Sequence, residues 1–275
     1  MDIQLKAGFK KELLAFFRTS KFLILILVLI GLSVSSPLML VGTSALMDLM
    51  GDVYDQLGMD VSMLTQELSS LASFGVSSQL SDVTMVGLLV FLLVINSFAG
   101  GEQKKRSIII PRSSGLGSLP YILPKFAIYP VAMFIFTIMG TIAAGGVSAL
   151  LFNINDIVWP MLLMAAVLAG GYNMFFVCLH LTLGTATGKA GMSSAICIVA
   201  SILLPGIVSV LDPSPVYNPF AMNLTAGSAL YGGVSGVDMV ITMLVALALM
   251  AACYFIALFA QNAKKIDNSG EEIII

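Results

Sequence analysis

The feature that most constrains this chain is where its charges are missing. No Asp, Glu, Lys or Arg occurs from Phe22 to Met47, Val83 to Gly101, Phe126 to Asn155, Trp159 to Leu183, Met192 to Val210 or Met239 to Ala260. A helix needs about 20 mostly apolar residues to cross the hydrocarbon core of a bilayer. Each run is long enough, Val83–Gly101 only just, and the third span is expected to end near Phe152. Composition agrees: 58% of residues are apolar, 10% are charged and the mean hydropathy is +1.01, whereas soluble domains carry about 25% charged residues. The expected fold class is an all-α polytopic membrane protein with six transmembrane helices.

The basic interval between runs is Gly100–Lys125, which carries Lys104, Lys105, Arg106, Arg112 and Lys125 against the single acid Glu102. Basic residues flanking spans stay on the cytoplasmic side. Placing this loop inside also puts Lys6, Lys10, Lys11, Arg18, Lys21, Lys189, Lys264 and Lys265 inside, which accounts for all 13 basic residues. Asp48, Asp52, Asp55, Asp60, Glu67, Asp82, Asp156, Asp212 and Asp238 fall outside. With six spans, both termini are expected in the cytoplasm. A seventh span at Phe220–Val237 would carry Lys264 and Lys265 outside, so the charge count argues against it.

Four segments flank or interrupt the spans. Residues 1–21 read as a basic amphipathic helix lying in the membrane interface, with Leu5, Phe9, Leu13, Phe16 and Phe17 at helical spacing. A basic start followed by an apolar run also fits a cleaved signal peptide, but the run continues past Pro37 and is expected to remain as a span. Residues 48–82 form an acidic external segment; Leu46, Met50, Val53, Leu57, Val61, Leu64, Leu68 and Leu71 make one helical stripe, with a break near Gly58. Residues 212–238 begin with a proline-rich stretch and continue apolar, as a re-entrant element would. Such backbone must be covered by protein or by a watery cavity. Residues 261–275 are a polar tail, and the transmembrane domain occupies 22–260.

Chemistry is conspicuous by its absence. Outside these flanking segments no ionisable residue falls well inside a run, which disfavours a proton relay. His180 has no second histidine or nearby acid to complete a metal site. Gly184–Lys189 has three residues between its glycines and Ala190 after the lysine, which breaks the phosphate-loop pattern. Cys178, Cys197 and Cys253 are embedded in apolar runs and form no CxxC pair. Asn96, Tyr172, Asn173 and Thr182 are expected to hydrogen-bond between helices. The basic residues follow the membrane face instead of gathering in a nucleic-acid-binding domain. No catalytic, cofactor or metal site is expected on this chain.

The entry helix FKKELLAFFRTSKF, the GGEQKKR after the second run and the YILPKF before the third together resemble the membrane subunits of type-2 ABC exporters, the ABC-2 permease family. Glu102 with Lys104–Arg106 matches the family's acid and basic segment after the second span, and Asn218-Pro219 matches an Asn-Pro in its last external region. Arg106-Ser107 stands where the family usually has Gly-Thr, and Ile108–Pro111 also departs from the pattern. The resemblance implies a permease subunit in the cell membrane that pairs with a second copy or a related permease chain. Two separate ATPase subunits would bind ATP and Mg and grip the 100–125 loop as a coupling element. The implied docking residues are Glu102, Lys104, Lys105, Arg106, Arg112 and Lys125, with Lys189 as a secondary contact. Asn218, Pro219 and Phe220 are implied at an external gate. The alternatives are a secondary carrier or channel without an ATPase, and a membrane immunity or sensor scaffold that binds a peptide.

Overall fold

The computed structural model describes residues 2–56, 71–102, 117–152, 157–211, 217–266 and 272–274. Its body is helical, and six helices are long and apolar enough to span a membrane. In chain order α1 is Asp2–Phe17 and α2 is Ser20–Gln56. The second span is composite: α3 (Leu71–Asp82), a π-helical turn (Val83–Gly87), α4 (Leu88–Asn96) and a second π turn (Ser97–Gly101). Then follow α5 (Ser118–Leu151), α6 (Trp159–Thr187) and α7 (Ala190–Leu211). A 3₁₀ turn (Pro219–Ala221) leads into the short α8 (Met222–Leu230), and α9 (Gly236–Ala263) closes the bundle. In the tail, β1 (Lys264–Ile266) pairs antiparallel with β2 (Glu272–Ile274).

The bundle is built around α6. This helix is 72% buried over its span, against 22–44% for the other five. Small residues explain how so many neighbours reach it, because a missing Cβ lets backbones approach. A Cβ on Gly170 would lie 2.8 Å from the Phe134 ring, and one on Gly171 within 2.8 Å of both Met222 and Met243. At the C-terminal end the contact is backbone to backbone: a Cβ on Gly100 would stand 2.6 Å from the Gly184 carbonyl oxygen, and one on Gly184 2.8 Å from that of Ala99. Gly188, at φ 66°, ends α6 with its N–H donating to Gly184 O. Only glycine adopts that left-handed turn without strain.

Hydrogen bonds between helices complete the packing. Tyr172 donates to Ser201 O at 2.7 Å, Thr182 to Cys253 O at 3.0 Å, and Asn173 Nδ2 to Thr137 Oγ1 at 2.9 Å. Three of the four polar residues singled out in the sequence therefore bridge helices; Asn96 Oδ1 has no hydrogen-bond partner. His180 Nδ1 lies 3.0 Å from Ser193 Oγ between α6 and α7. Among the described residues no His, Cys, Asp and Glu group could hold a metal ion.

Two elements differ from the sequence expectation. The second span runs from Ala72, not Val83, to Gly101. Ser77, Ser78, Gln79, Ser81 and Asp82 look external in the sequence, yet they occupy helix whose inner face is covered by α2 and α5. The last part of the acidic segment, Leu71–Asp82, is thus helical and continuous with the second run. The α2 helix continues through Asp48, Asp52 and Asp55 to Gln56, while the break expected near Gly58 lies outside the described residues. The second difference is in α1. The face turned to the bundle carries Gly8, Glu12 and Phe16, whereas Leu13 and Phe17 of the apolar stripe point outward. Burying Glu12 is tolerated because partners wait for it.

Candidate functional site

Those partners form a charged clasp at the end of the bundle where the second span stops. The second π turn places Phe98 O and, immediately beyond, Glu102 toward α5. In a π turn the carbonyl ladder is displaced, which frees acceptors for side chains. Lys125 lies two turns into α5, is 3% exposed, and spends all three ammonium hydrogens there. Its Nζ donates to Glu102 Oε2 at 2.6 Å, to Phe98 O at 2.8 Å and to Tyr121 Oη at 3.2 Å. Tyr121 in turn donates to Glu102 Oε2 at 2.9 Å. Lys11 of α1 donates to the other oxygen, Glu102 Oε1, at 2.7 Å.

Glu12 completes the arrangement. It accepts a 2.6 Å bond from Tyr129 and stands 3.4 Å from Lys11 Nζ and 3.9 Å from Lys125 Nζ. Two lysines therefore face two carboxylates, Lys125 and Glu12 buried and Lys11 at the exposed edge, and the formal charge cancels. Phe98 stacks on Tyr129 at 5.0 Å, with Phe16 edge-on to the same ring. Lys21 bonds Ser97 and lies over the Phe98 ring at 4.0 Å. Burial pushes the Glu102 carboxyl up, but Lys125 and Lys11 outweigh it and hold the group at about 2. Burial likewise opposes the charge on Lys11, yet Glu102 raises its pKa above the ordinary lysine value. Both groups are ionised across the neutral range.

Of the docking residues expected from the sequence, Glu102 and Lys125 are brought together and face each other instead of solvent. Lys104, Lys105, Arg106 and Arg112 lie outside the described residues. Lys189 is exposed in the α6–α7 turn. It sits at the same end of the bundle as the clasp, since a Cβ on Gly100 would lie 3.3 Å from the neighbouring Ala190 N. The sequence reading missed Glu12, Tyr121 and Tyr129. A signal was present: Tyr121, Lys125 and Tyr129 are spaced by four and share one face of α5, as Gly8, Glu12 and Phe16 do on α1.

The gate candidates are elsewhere. Asn218 Oδ1 accepts from Phe220 N at 3.1 Å and caps the 3₁₀ turn, Pro219 is buried, and the Phe220 ring meets Phe175 edge-on at 5.2 Å. Phe175 and Gly171 flank Asn173, the midpoint of the 29-residue α6. The chain thus returns to the middle of α6 after α7, and α8 then climbs toward Met161, which touches Gly232. Ser235 Oγ donates to Asp238 Oδ2 at 2.8 Å and accepts from Asp238 N, capping α9, and Tyr217 donates to Asp238 Oδ1.

A second polar group lies at that midpoint layer. Asn173 Nδ2 is 3.5 Å from Val83 O, Ser33 donates to Gly140 O at 3.0 Å, and Ser36 donates to Asp82 Oδ2 at 2.7 Å. Gln79 is fully buried, and neither its Nε2 nor its Oε1 has a hydrogen-bond partner; Asn173 Oδ1 and Ser148 Oγ also lack one. Asp82 thus lies within the 30-residue candidate span Ala72–Gly101, whereas the sequence reading began that span at Val83. Compared with known proteins, the chain matches no family model, no curated protein and no solved structure.

Proposed function

We propose that this chain is the membrane-spanning permease subunit of an ATP-driven exporter of the ABC-2 type. It works in the cell membrane with a second copy, or a related permease chain, above two ATPase subunits that bind ATP and Mg. Both termini, the basic loop and Lys189 face the cytoplasm. The α1 helix lies along the lipid interface with Leu13, Leu14 and Phe17 against the headgroups. The observation that carries the reading is the clasp: Glu102 immediately precedes the basic stretch in the chain and is held by both α1 and α5. A push on Lys104, Lys105, Arg106 and Arg112 is therefore passed to three helices at once. The Gly100–Gly184 contact passes it on to α6, whose midpoint seats Phe220 and the start of α8. Nucleotide-driven closure of the ATPases then shifts the population toward the state in which Asn218, Pro219 and Phe220 no longer seal the pathway. The chain itself contributes positioning and no reactive group.

The test is purification of the tagged chain in mild detergent, with assay for a copurifying ATPase. A Lys104→Glu/Lys105→Glu/Arg106→Glu variant is expected to lose that ATPase while keeping the parent's melting temperature. A chain that purifies alone and supports flux without nucleotide would end the motor reading. It would leave the secondary carrier, which Asp82 at mid-span depth favours because intramembrane carboxylates mark ion pathways.

A further inference from the structure

We propose that Asp82 and Ser36 form a water-facing cation site at mid-membrane depth, on a face of α2 and α3 that lines an aqueous pathway for a monovalent cationic group. This rests on the transport reading, but equally on its motor and carrier forms.

Depth comes from contacts alone. Val83 O is beside Asn173, the midpoint of α6, and Asn173 bonds Thr137, which lies three residues from the centre of the 34-residue α5. Asp82 precedes Val83, so its carboxylate stands in the central layer. It is only half-buried, and Ser81 and Met85 beside it are exposed, as are Ser35 and Met39 across on α2. A half-exposed carboxylate at this depth does not face lipid tails. The face must be wet.

The carboxylate is also incompletely neutralised. Ser36 Oγ donates to Oδ2, but among the described residues no lysine, arginine or histidine comes within ion-pair distance of Asp82. Behind it the polarity continues. Gln79 and Asp82 are three residues apart on α3, and Ser33 and Ser36 three apart on α2. Gln79 Nε2 and Ser33 Oγ each lie 3.3 Å from where a Gly140 Cβ would be. The Gln79 amide has no hydrogen-bond partner at either atom and is fully buried, and an orphaned buried group of this kind calls for water or a ligand. The π turn that begins at Val83 interrupts the helix at the same level, as such turns do at functional sites. One anionic carboxylate, a hydroxyl and a buried amide without a hydrogen-bond partner make a site for a cation of low charge.

The experiment uses the full chain in opened membrane sheets. Cys178, Cys197 and Cys253 are buried, so the parent serves as the unreactive background. A Met85→Cys variant places a thiol one turn from Asp82, and Met139→Cys is the lipid-facing control. Met85→Cys is expected to react with charged methanethiosulfonates, the cationic reagent faster than the anionic one relative to a free thiol, while Met139→Cys stays inert. Adding Asp82→Asn, or Asp82→Ser as a second neutral variant, lowers the cation-to-anion ratio about tenfold, since a unit charge one helical turn away acts on both reagents in opposite senses; Asp82→Glu preserves it. Protection by tetraethylammonium but not sodium assigns an organic ammonium group, and the reverse assigns an alkali ion. Protection by neither, an inert Met85→Cys, or a ratio unmoved by both neutral variants overturns the site. None of these readouts needs an ATPase, so loss of the motor reading would leave the result standing.

Discussion

Removing one member of the clasp tests the packing argument most directly. Lys125 is 3% exposed and Glu102 17%, so solvent screens their 2.6 Å pair only slightly. The carboxyl is held at about 2 instead of 4.5, which corresponds to about 3 kcal/mol of preference for its ionised form. Breaking a buried pair by deleting one partner typically costs about 3–5 kcal/mol, because the remaining charge is stranded. Lys125→Met also leaves Phe98 O without its donor, and Glu102→Gln leaves Lys11 without its closest acid. Each single variant is therefore expected to lose about 3 kcal/mol, and Lys125→Met/Glu102→Gln about as much as either alone. The assay is a double-mutant cycle measured by unfolding in mixed micelles, with melting temperatures alongside; a loss of this size lowers the midpoint by roughly 6 °C or more for a chain of this length. A coupling energy below about 0.5 kcal/mol, the additive limit for independent sites, would refute the clasp as a cooperative unit.

Two further outcomes follow from the same geometry. Because Glu102 has a lower pKa folded than unfolded, its contribution is complete above about pH 4.5 and fades as the pH falls toward 2; a melting series from pH 6 to 2.5 is expected to show that loss in the parent and a flatter acid limb in Glu102→Gln. Gly100→Ala forces a Cβ to within 2.6 Å of backbone at Gly184, an overlap no rotamer relieves, and is expected to destabilise by about 1–3 kcal/mol. Gly146→Ala, with nothing within 4 Å of its Cβ, is expected to be neutral or slightly stabilising, and equal melting of the two alanine variants would count against backbone contact at the α6 end.

The six spans are legible in the sequence because crossing a bilayer is a local requirement. Hydropathy summed over about 20 residues is enough: the runs at Trp159, Met192 and Met239 each lie within one observed helix, and α5 carries the run at Phe126 as far as Leu151. The turn at Gly188 is legible for a similar reason, since the left-handed conformation it needs belongs to a single residue. The first third of the second span was not legible. Gln79 is polar by composition, and only the approach of α2 and α5 turns it inward. The clasp depended still more on tertiary structure. Glu12 and Tyr129 are 117 residues apart, with two whole spans between them. The family resemblance implied a docking role for Lys125, but whether a lysine meets water or a carboxylate is decided by which helix faces meet. That choice is made by the glycine contacts of α6 and the insertion of α1 against α5, which no window along the chain contains.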